Sequence, residues 1–126
     1  MVTGTEHIGL IAKDSVFLKD WYIRVFGFKL ILENNTTFFI MAPDRSMLEL
    51  IQADENSEPL GPKVSGIRHL AFTIDNFEKT VETLRAEKVE ELSEPKVSPD
   101  GTKIFFFRDP EGNIMQLIDR PKPLGW

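Results

Sequence analysis

Hydrophobic and polar positions follow the same order twice along this chain. In the first stretch, residues 6–12 are mostly apolar and predict a buried strand. Apolar side chains then recur at helical spacing over residues 15–26, between Asp14, which suits a helix N-cap, and Gly27, which suits the left-handed residue that ends a helix. Three short runs bounded by turn-forming residues predict three strands: residues 28–33, 36–41 and 46–53.

The second stretch repeats this order after a polar segment. Residues 54–65 are rich in polar side chains and prolines, and they predict a linker. A strand at residues 66–74 precedes Asp75, which together with Glu78 three residues later predicts a capping box and a helix that runs to about Lys88. Three more strands complete the repeat: residues 89–92, 102–107 and 113–119.

The tail, residues 120–126, is not expected to extend a sheet, because its prolines break a hydrogen-bond ladder. The pattern predicts one α+β domain over residues 1–126. Two modules, at about residues 5–53 and 66–119, would each contain a strand, a helix and three further strands.

Composition and charge restrict the function. The 15 basic and 20 acidic residues give a net charge of −5, which argues against a nucleic-acid surface and favours a small-molecule partner. The absence of cysteine excludes disulfides, thiolate metal sites and a cysteine nucleophile. No signal-peptide pattern and no long apolar run is present, so we expect a cytoplasmic protein without a membrane span.

Four candidate metal ligands occupy matching places in the two modules. His7 and His69 lie in the first strands, and Glu49 and Gln116 lie in the last strands. Period-two alternation places Glu49 among apolar neighbours, where a carboxylate is costly to bury unless it meets a cation, a donor or a substrate. Taken singly, each histidine is more often a core or surface residue, but the repeated arrangement favours metal binding.

This donor set also restricts the ion. Imidazole nitrogens with one carboxylate and one amide oxygen suit Zn, Ni, Fe, Co or Mn, and they leave coordination positions for water or a chelating substrate. One carboxylate against a divalent cation leaves about one positive charge, which favours an anionic or enediolate-like ligand. The alternative is that Glu49 pairs with an arginine, such as Arg24 or Arg68.

Phenylalanines in the strands are candidates for a ligand pocket. Alternation predicts that Phe39, Phe105 and Phe107 face the ligand and that Phe38 and Phe106 face the helices. Aromatic runs in strands more often belong to the core, and that alternative stays open.

Several motifs together resemble the vicinal oxygen chelate superfamily, which includes glyoxalases, bleomycin-resistance proteins and extradiol dioxygenases. The resemblance covers nearly the whole chain and rests on these segments: His7-Ile8-Gly9, Trp21-Tyr22, Phe26-Gly27-Phe28, Arg68-His69-Leu70-Ala71-Phe72 and Phe107-Arg108-Asp109-Pro110-Glu111-Gly112-Asn113. It implies paired βαβββ modules that curl into a half-open barrel. It also implies a homodimer, with His7, Glu49, His69 and Gln116 as the metal ligands.

The resemblance further implies a glyoxalase-like, metal-dependent lyase or isomerase that acts through an enediolate-type intermediate. Related enzymes carry glutamate at the position of Gln116; since an amide is no base near neutral pH, Glu49 would have to move the proton. Two alternatives stay open. One is a ring-cleaving dioxygenase that uses iron on His7, His69 and Glu49, and the other is a metal-free drug- or metabolite-binding protein of the bleomycin-resistance type.

Overall fold

A computed structural model describes residues 1–58 and 63–125. The chain divides into two compact units, Met1–Glu58 and Pro59–Trp126, which are described in turn. The predicted linker falls partly on residues 59–62, and the predicted tail ends on residue 126; these positions lie outside the described residues. Within the described part of the chain, no helix has the length and apolar character needed to cross a membrane.

The first unit has one helix on a four-stranded mixed sheet. Its elements are, in chain order, β1 (His7–Ala12), α1 (Ser15–Phe26), β2 (Lys29–Asn34), β3 (Thr37–Met41) and β4 (Met47–Gln52). The strand order is β1-β4-β3-β2, with β1 parallel to β4 and the other pairs antiparallel.

Local signals in the sequence set the ends of α1. The Asp14 side chain accepts a hydrogen bond from the N–H of Phe17, and Gly27 adopts a φ of 74°, so both predicted caps are confirmed. Leu18 is fully buried on this helix, as is Leu50 on β4. In β4 the buried Leu48 and Leu50 alternate with partly exposed side chains, which leaves one face of the sheet to the helix and the other to a site.

The second unit repeats this plan with smaller edge strands. Its elements are, in chain order, β5 (Leu70–Thr73), α2 (Phe77–Ala86), β6 (Glu90–Glu91), β7 (Lys96–Val97), β8 (Lys103–Arg108) and β9 (Ile114–Asp119). The strand order is β5-β9-β8-β6, β7 also pairs with β8, and β5 runs parallel to β9. Two mixed sheets with one helix each confirm the predicted α+β class.

The structure of this unit differs from the local predictions in three places. The cap of α2 is Asn76, whose extended backbone lets its side chain accept from the N–H of Lys79, so the predicted capping box of Asp75 and Glu78 does not form. Strand β5 begins only at Leu70, and the short β7 falls in a stretch that the sequence pattern left without a strand.

Candidate metal centre

The first unit places His7 and Glu49 side by side. Glu49 lies opposite Gly9 of β1 in the parallel register, and it lies opposite Phe39 of β3 on its other side. His7 Nε2 is 3.5 Å from Glu49 Oε1, and the two side chains are 38% and 25% exposed, respectively. The carboxylate therefore faces an imidazole nitrogen and remains open to solvent.

Gly9 keeps this face of β1 open between the two side chains. A Cβ atom added at Gly9 would lie 3.8 Å from Glu49 Oε1 and 3.7 Å from Ile51 Cδ1, which are ordinary contacts. The second unit carries Ala71 at the matching place. A small side chain is thus tolerated beside the carboxylate, whereas a large one would fill the space.

The spacing of the two donor atoms suits one divalent ion. Two ligands about 2.1 Å from a tetrahedral ion lie about 3.4 Å apart, since they subtend the tetrahedral angle. The observed separation of 3.5 Å between His7 Nε2 and Glu49 Oε1 agrees with that value. The imidazole and carboxylate of this unit therefore fit a shared cation in both spacing and chemistry.

Two neighbours hold the His7 ring. Glu6 Oε1 lies 2.8 Å from His7 Nδ1, on the opposite side of the ring from Glu49. The His7 ring meets Phe39 edge to face, with ring centroids 5.2 Å apart and an interplanar angle of 80°. The ring is therefore oriented by a hydrogen bond and an aromatic contact.

The second unit repeats the arrangement with different chemistry. Gln116 of β9 lies opposite Ala71 and Phe106, and it is only 8% exposed. His69 meets Phe106 edge to face at a centroid distance of 5.2 Å. Arg68 Nη1 lies 3.3 Å from His69 Nδ1, and the Arg68 guanidinium carbon is 5.4 Å from the centre of the Phe106 ring.

The phenylalanine prediction was right in the first unit and wrong in the second. Phe38 is buried and Phe39 lies on the site face, as predicted. In β8, however, Phe105 and Phe107 are fully buried, and Phe106 lies opposite Gln116. The predicted alternation in β8 was shifted by one residue. Such a shift assigns every side chain to the wrong face of the sheet.

The strand bounds of the structure explain why Phe39 and Phe106 have the same facing. The connection before the last strand has the same length in both modules, residues 42–46 and 109–113. Counting back three residues from the start of each connection gives Phe39 and Phe106. Equal turn lengths, rather than the density of phenylalanines, identify the aromatic residue that faces the site.

The structure brings His7 and Glu49 together in the first unit. In the second unit Gln116 lies in β9, whereas His69 directly precedes β5 and is not in the predicted first strand. Glu49 contacts His7. Across residues 1–58 and 63–125, no three His, Cys, Asp or Glu side chains cluster closely enough to hold a metal ion. The contact between His7 and Glu49 is defined, and the four-residue ligand set stays a prediction.

The repeated strand, helix and mixed sheet, with a histidine and an oxygen donor in each unit, define a duplicated α+β protein of the glyoxalase type. The profile of the Glyoxalase/Bleomycin resistance protein/Dioxygenase superfamily matches residues 4–117. The chain belongs to this superfamily, as its motifs predicted.

Several known proteins are similar to this chain over nearly its whole length. The uncharacterized protein YaeR of Escherichia coli (strain K12) is 30% identical over 123 residues, which cover 91% of this chain and 95% of that protein. A glyoxalase family protein from Enterococcus faecalis has 25% identity and a TM-score of 0.78, covering 93% of this chain and 98% of the other. A lactoylglutathione lyase from Agrobacterium tumefaciens shares the fold, with 22% identity, a TM-score of 0.73 and coverage of 99% and 98% of the two chains.

Proposed function

We propose that this protein is a divalent-metal-dependent lyase or isomerase of the glyoxalase type, acting on a small substrate with two adjacent oxygens. The observation that carries the proposal is the 3.5 Å separation of His7 Nε2 and Glu49 Oε1. The matching pair, His69 and Gln116, supplies one more imidazole and an amide oxygen. In this proposal all four side chains are ligands of one Zn, Ni, Fe, Co or Mn ion.

The bound ion would supply Lewis acidity to a substrate carbonyl. The chain itself must move the proton, and Glu49 is the candidate base because its carboxylate is partly exposed at the open face of the sheet. Gln116 has no useful proton affinity, and we assign it to binding alone. Phe39 and Phe106 each lie opposite the oxygen donor of their module and would border the substrate.

Three features of the whole protein belong to the same proposal. Residues 1–126 would act as one domain, with the modules at about 5–53 and 66–119. The net charge of −5 and the lack of cysteine support a small-molecule partner in the reducing cytoplasm. We also propose a homodimer, in which the two ligand pairs of a site come from one chain or from both.

Metal content is the first test. We expect about one divalent ion per site in the dialysed wild type, measured by elemental analysis, and little in His7→Ala or His69→Ala. Glu33→Ala, which removes an exposed carboxylate from β2, is the matched control and should keep its metal. A wild type that stays empty in the presence of added divalent metals would refute metal dependence.

Turnover of methylglyoxal in the presence of a thiol tests the reaction. Activity with Ni or Zn should disappear in Glu49→Gln, which keeps the size of the side chain and removes the base. Stoichiometric metal without turnover by any divalent ion would reject this substrate class. Iron in the isolated protein, with oxygen-dependent cleavage of a catechol, would instead support the dioxygenase alternative.

Mixing His7→Ala with His69→Ala distinguishes the two site arrangements. If each site combines ligands from both subunits, a mixed dimer contains one site with both histidines intact, and activity returns. If each site lies within one chain, every site lacks a histidine and activity stays absent.

One observation favours a second function. Each histidine packs edge to face against a phenylalanine, at 5.2 Å in both units, and Gln116 adds a neutral amide. An aromatic-bordered site with neutral donors suits capture of a flat metabolite or drug without chemistry. Binding of such a ligand by the metal-free protein, unchanged by added metal, would support this alternative.

A further inference from the structure

The residue that precedes each histidine contacts its Nδ1 atom, and the two residues have opposite hydrogen-bonding chemistry. Glu6 Oε1 lies 2.8 Å from His7 Nδ1, whereas Arg68 Nη1 lies 3.3 Å from His69 Nδ1. The rings themselves are held alike, because each meets a phenylalanine edge to face at 5.2 Å. The two histidines therefore differ in the partner of their Nδ1 atoms.

Donor and acceptor capacity fixes the proton on each ring. An ionised carboxylate only accepts hydrogen bonds, so His7 carries hydrogen on Nδ1 whether its ring is neutral or charged. A guanidinium only donates, so Nδ1 of His69 must accept from Arg68, and the hydrogen of the neutral ring lies on Nε2. The same nitrogen is thus a donor in one module and an acceptor in the other.

We propose that Glu6 and Arg68 are positioning residues that hold His7 and His69 in opposite tautomers. Neutral His7 then presents the Nε2 lone pair toward Glu49 Oε1. Because both atoms carry lone pairs, a cation bound between them would stabilise this arrangement. His69 presents Nε2–H, which can donate to a substrate oxygen. It binds an ion through Nε2 only after its hydrogen is lost or moves to Nδ1, with loss of the Arg68 contact.

For metal binding this inference rests on the proposed function, and it assigns unequal roles to the modules. The first module becomes the primary holder of the ion, since its imidazole is already in the ligating form. The second module binds the ion more weakly, because Arg68 both opposes the ligating tautomer of His69 and adds a positive charge beside it. Glu6 and Arg68 should accordingly change metal affinity in opposite directions.

Nitrogen NMR of the metal-free protein tests the tautomers without reference to activity. The chain has only two histidines, so a long-range proton–nitrogen correlation spectrum of the untagged protein shows two ring patterns, and His69→Ala assigns them. For the neutral rings we expect the Nδ1–H pattern for His7 and the Nε2–H pattern for His69.

Exchanging the two positioning residues gives the sharper test. Glu6→Arg should move His7 toward Nε2–H, and Arg68→Glu should move His69 toward Nδ1–H. Glu55→Arg and Lys122→Glu make the same charge changes at exposed positions and should leave both patterns unchanged. The proposal would be overturned if both rings have the same tautomer. It would also be overturned if the NMR patterns are unchanged in Glu6→Arg and Arg68→Glu.

Zinc titration supplies the second readout. Glu6→Ala should weaken binding by about 10- to 100-fold, the usual effect of removing a partner that orients a ligand. Arg68→Ala should tighten binding by up to about fivefold, the range for a contact between exposed groups. Weaker binding in Arg68→Ala would overturn the assigned role of Arg68. Opposite tautomers in a protein that binds no metal would uphold the positioning and refute the proposed function.

Discussion

Replacing Gln116 by glutamate would give the second module the carboxylate that the first module already has. The two positions are equivalent in register, since Glu49 lies opposite Gly9 and Gln116 lies opposite Ala71. Their surroundings differ, because the Glu49 side chain is 25% exposed and faces His7, whereas Gln116 is 8% exposed. The substitution therefore adds a charge at the more buried of the two positions.

The expected cost follows from that burial. A buried carboxylate without a full set of partners destabilises a protein by about 1–3 kcal/mol. The substituted glutamate should have a raised pKa, because burial disfavours its charged form. Its cost is then fully present at neutral pH and disappears as the pH falls below about 4.3, where the unfolded side chain is also protonated. A divalent ion should shrink the deficit, because a carboxylate binds a cation more tightly than an amide does. At saturating metal, each tenfold gain in affinity over wild type adds about 1.4 kcal/mol to the free energy of unfolding of the variant.

Urea unfolding of Gln116→Glu and wild type, with and without zinc, measures both effects. Without metal we expect the variant to be less stable by about 1–3 kcal/mol at pH 7, with a smaller deficit near pH 4. With saturating zinc the deficit should shrink or change sign. Gln116→Met, which is neutral and of similar size, controls for packing and should gain nothing from metal relative to wild type. A deficit in Gln116→Glu that zinc leaves unchanged would refute a metal ligand at this position.

Other predictions concern the scaffold. Leu50→Ala should lower the free energy of unfolding by about 2–5 kcal/mol, because Leu50 is fully buried, whereas Leu32→Ala, at a residue 56% exposed, should change it by less than about 0.5 kcal/mol; urea unfolding measures both. Gly27→Ala should cost about 1 kcal/mol in the same assay. No atom lies within 4 Å of the added Cβ, so the cost comes from the φ of 74°, and an unchanged stability would contradict it. Hydrogen bonds from the hydroxyl and N–H of Ser46 lower the pKa of Asp44. Its stabilising contribution should be present above about pH 4 and lost as the pH falls through that lowered pKa, so the stability difference between wild type and Asp44→Ala should vanish in acid.

Most of the fold could be predicted because the local signals were strong and agreed with one another. Asp14 and Gly27 mark the ends of α1 through ordinary capping chemistry, and alternation in β4 placed Leu50 and Glu49 on opposite faces. The cap of α2 was less certain, because Asp75 and Asn76 are adjacent and both suit that position. The backbone decides between them, and Asn76 has the extended conformation that aims its side chain at the helix N-terminus.

The site was predictable as residue types and only partly as geometry. Duplication predicted the histidines and oxygen donors as candidates, since the two modules repeat them at matching places. The sequence could not predict which side chains of β8 face the helix. Three consecutive phenylalanines show no alternation of apolar and polar residues. The contacts of Glu6 and Arg68 were also missed, since neighbours along an extended chain usually point to opposite faces. Both residues precede the regular strands, where that rule no longer applies.

The duplicated modules share a strand register but differ in the charge around their histidines. Glu6 and Glu49 give the first pair two carboxylates at its imidazole, whereas Arg68 and Gln116 give the second pair a cation and a neutral amide. A metal ion is favoured beside the first pair and an anionic oxygen beside the second. The two modules therefore have equivalent strand registers and opposite charge preferences at their histidines.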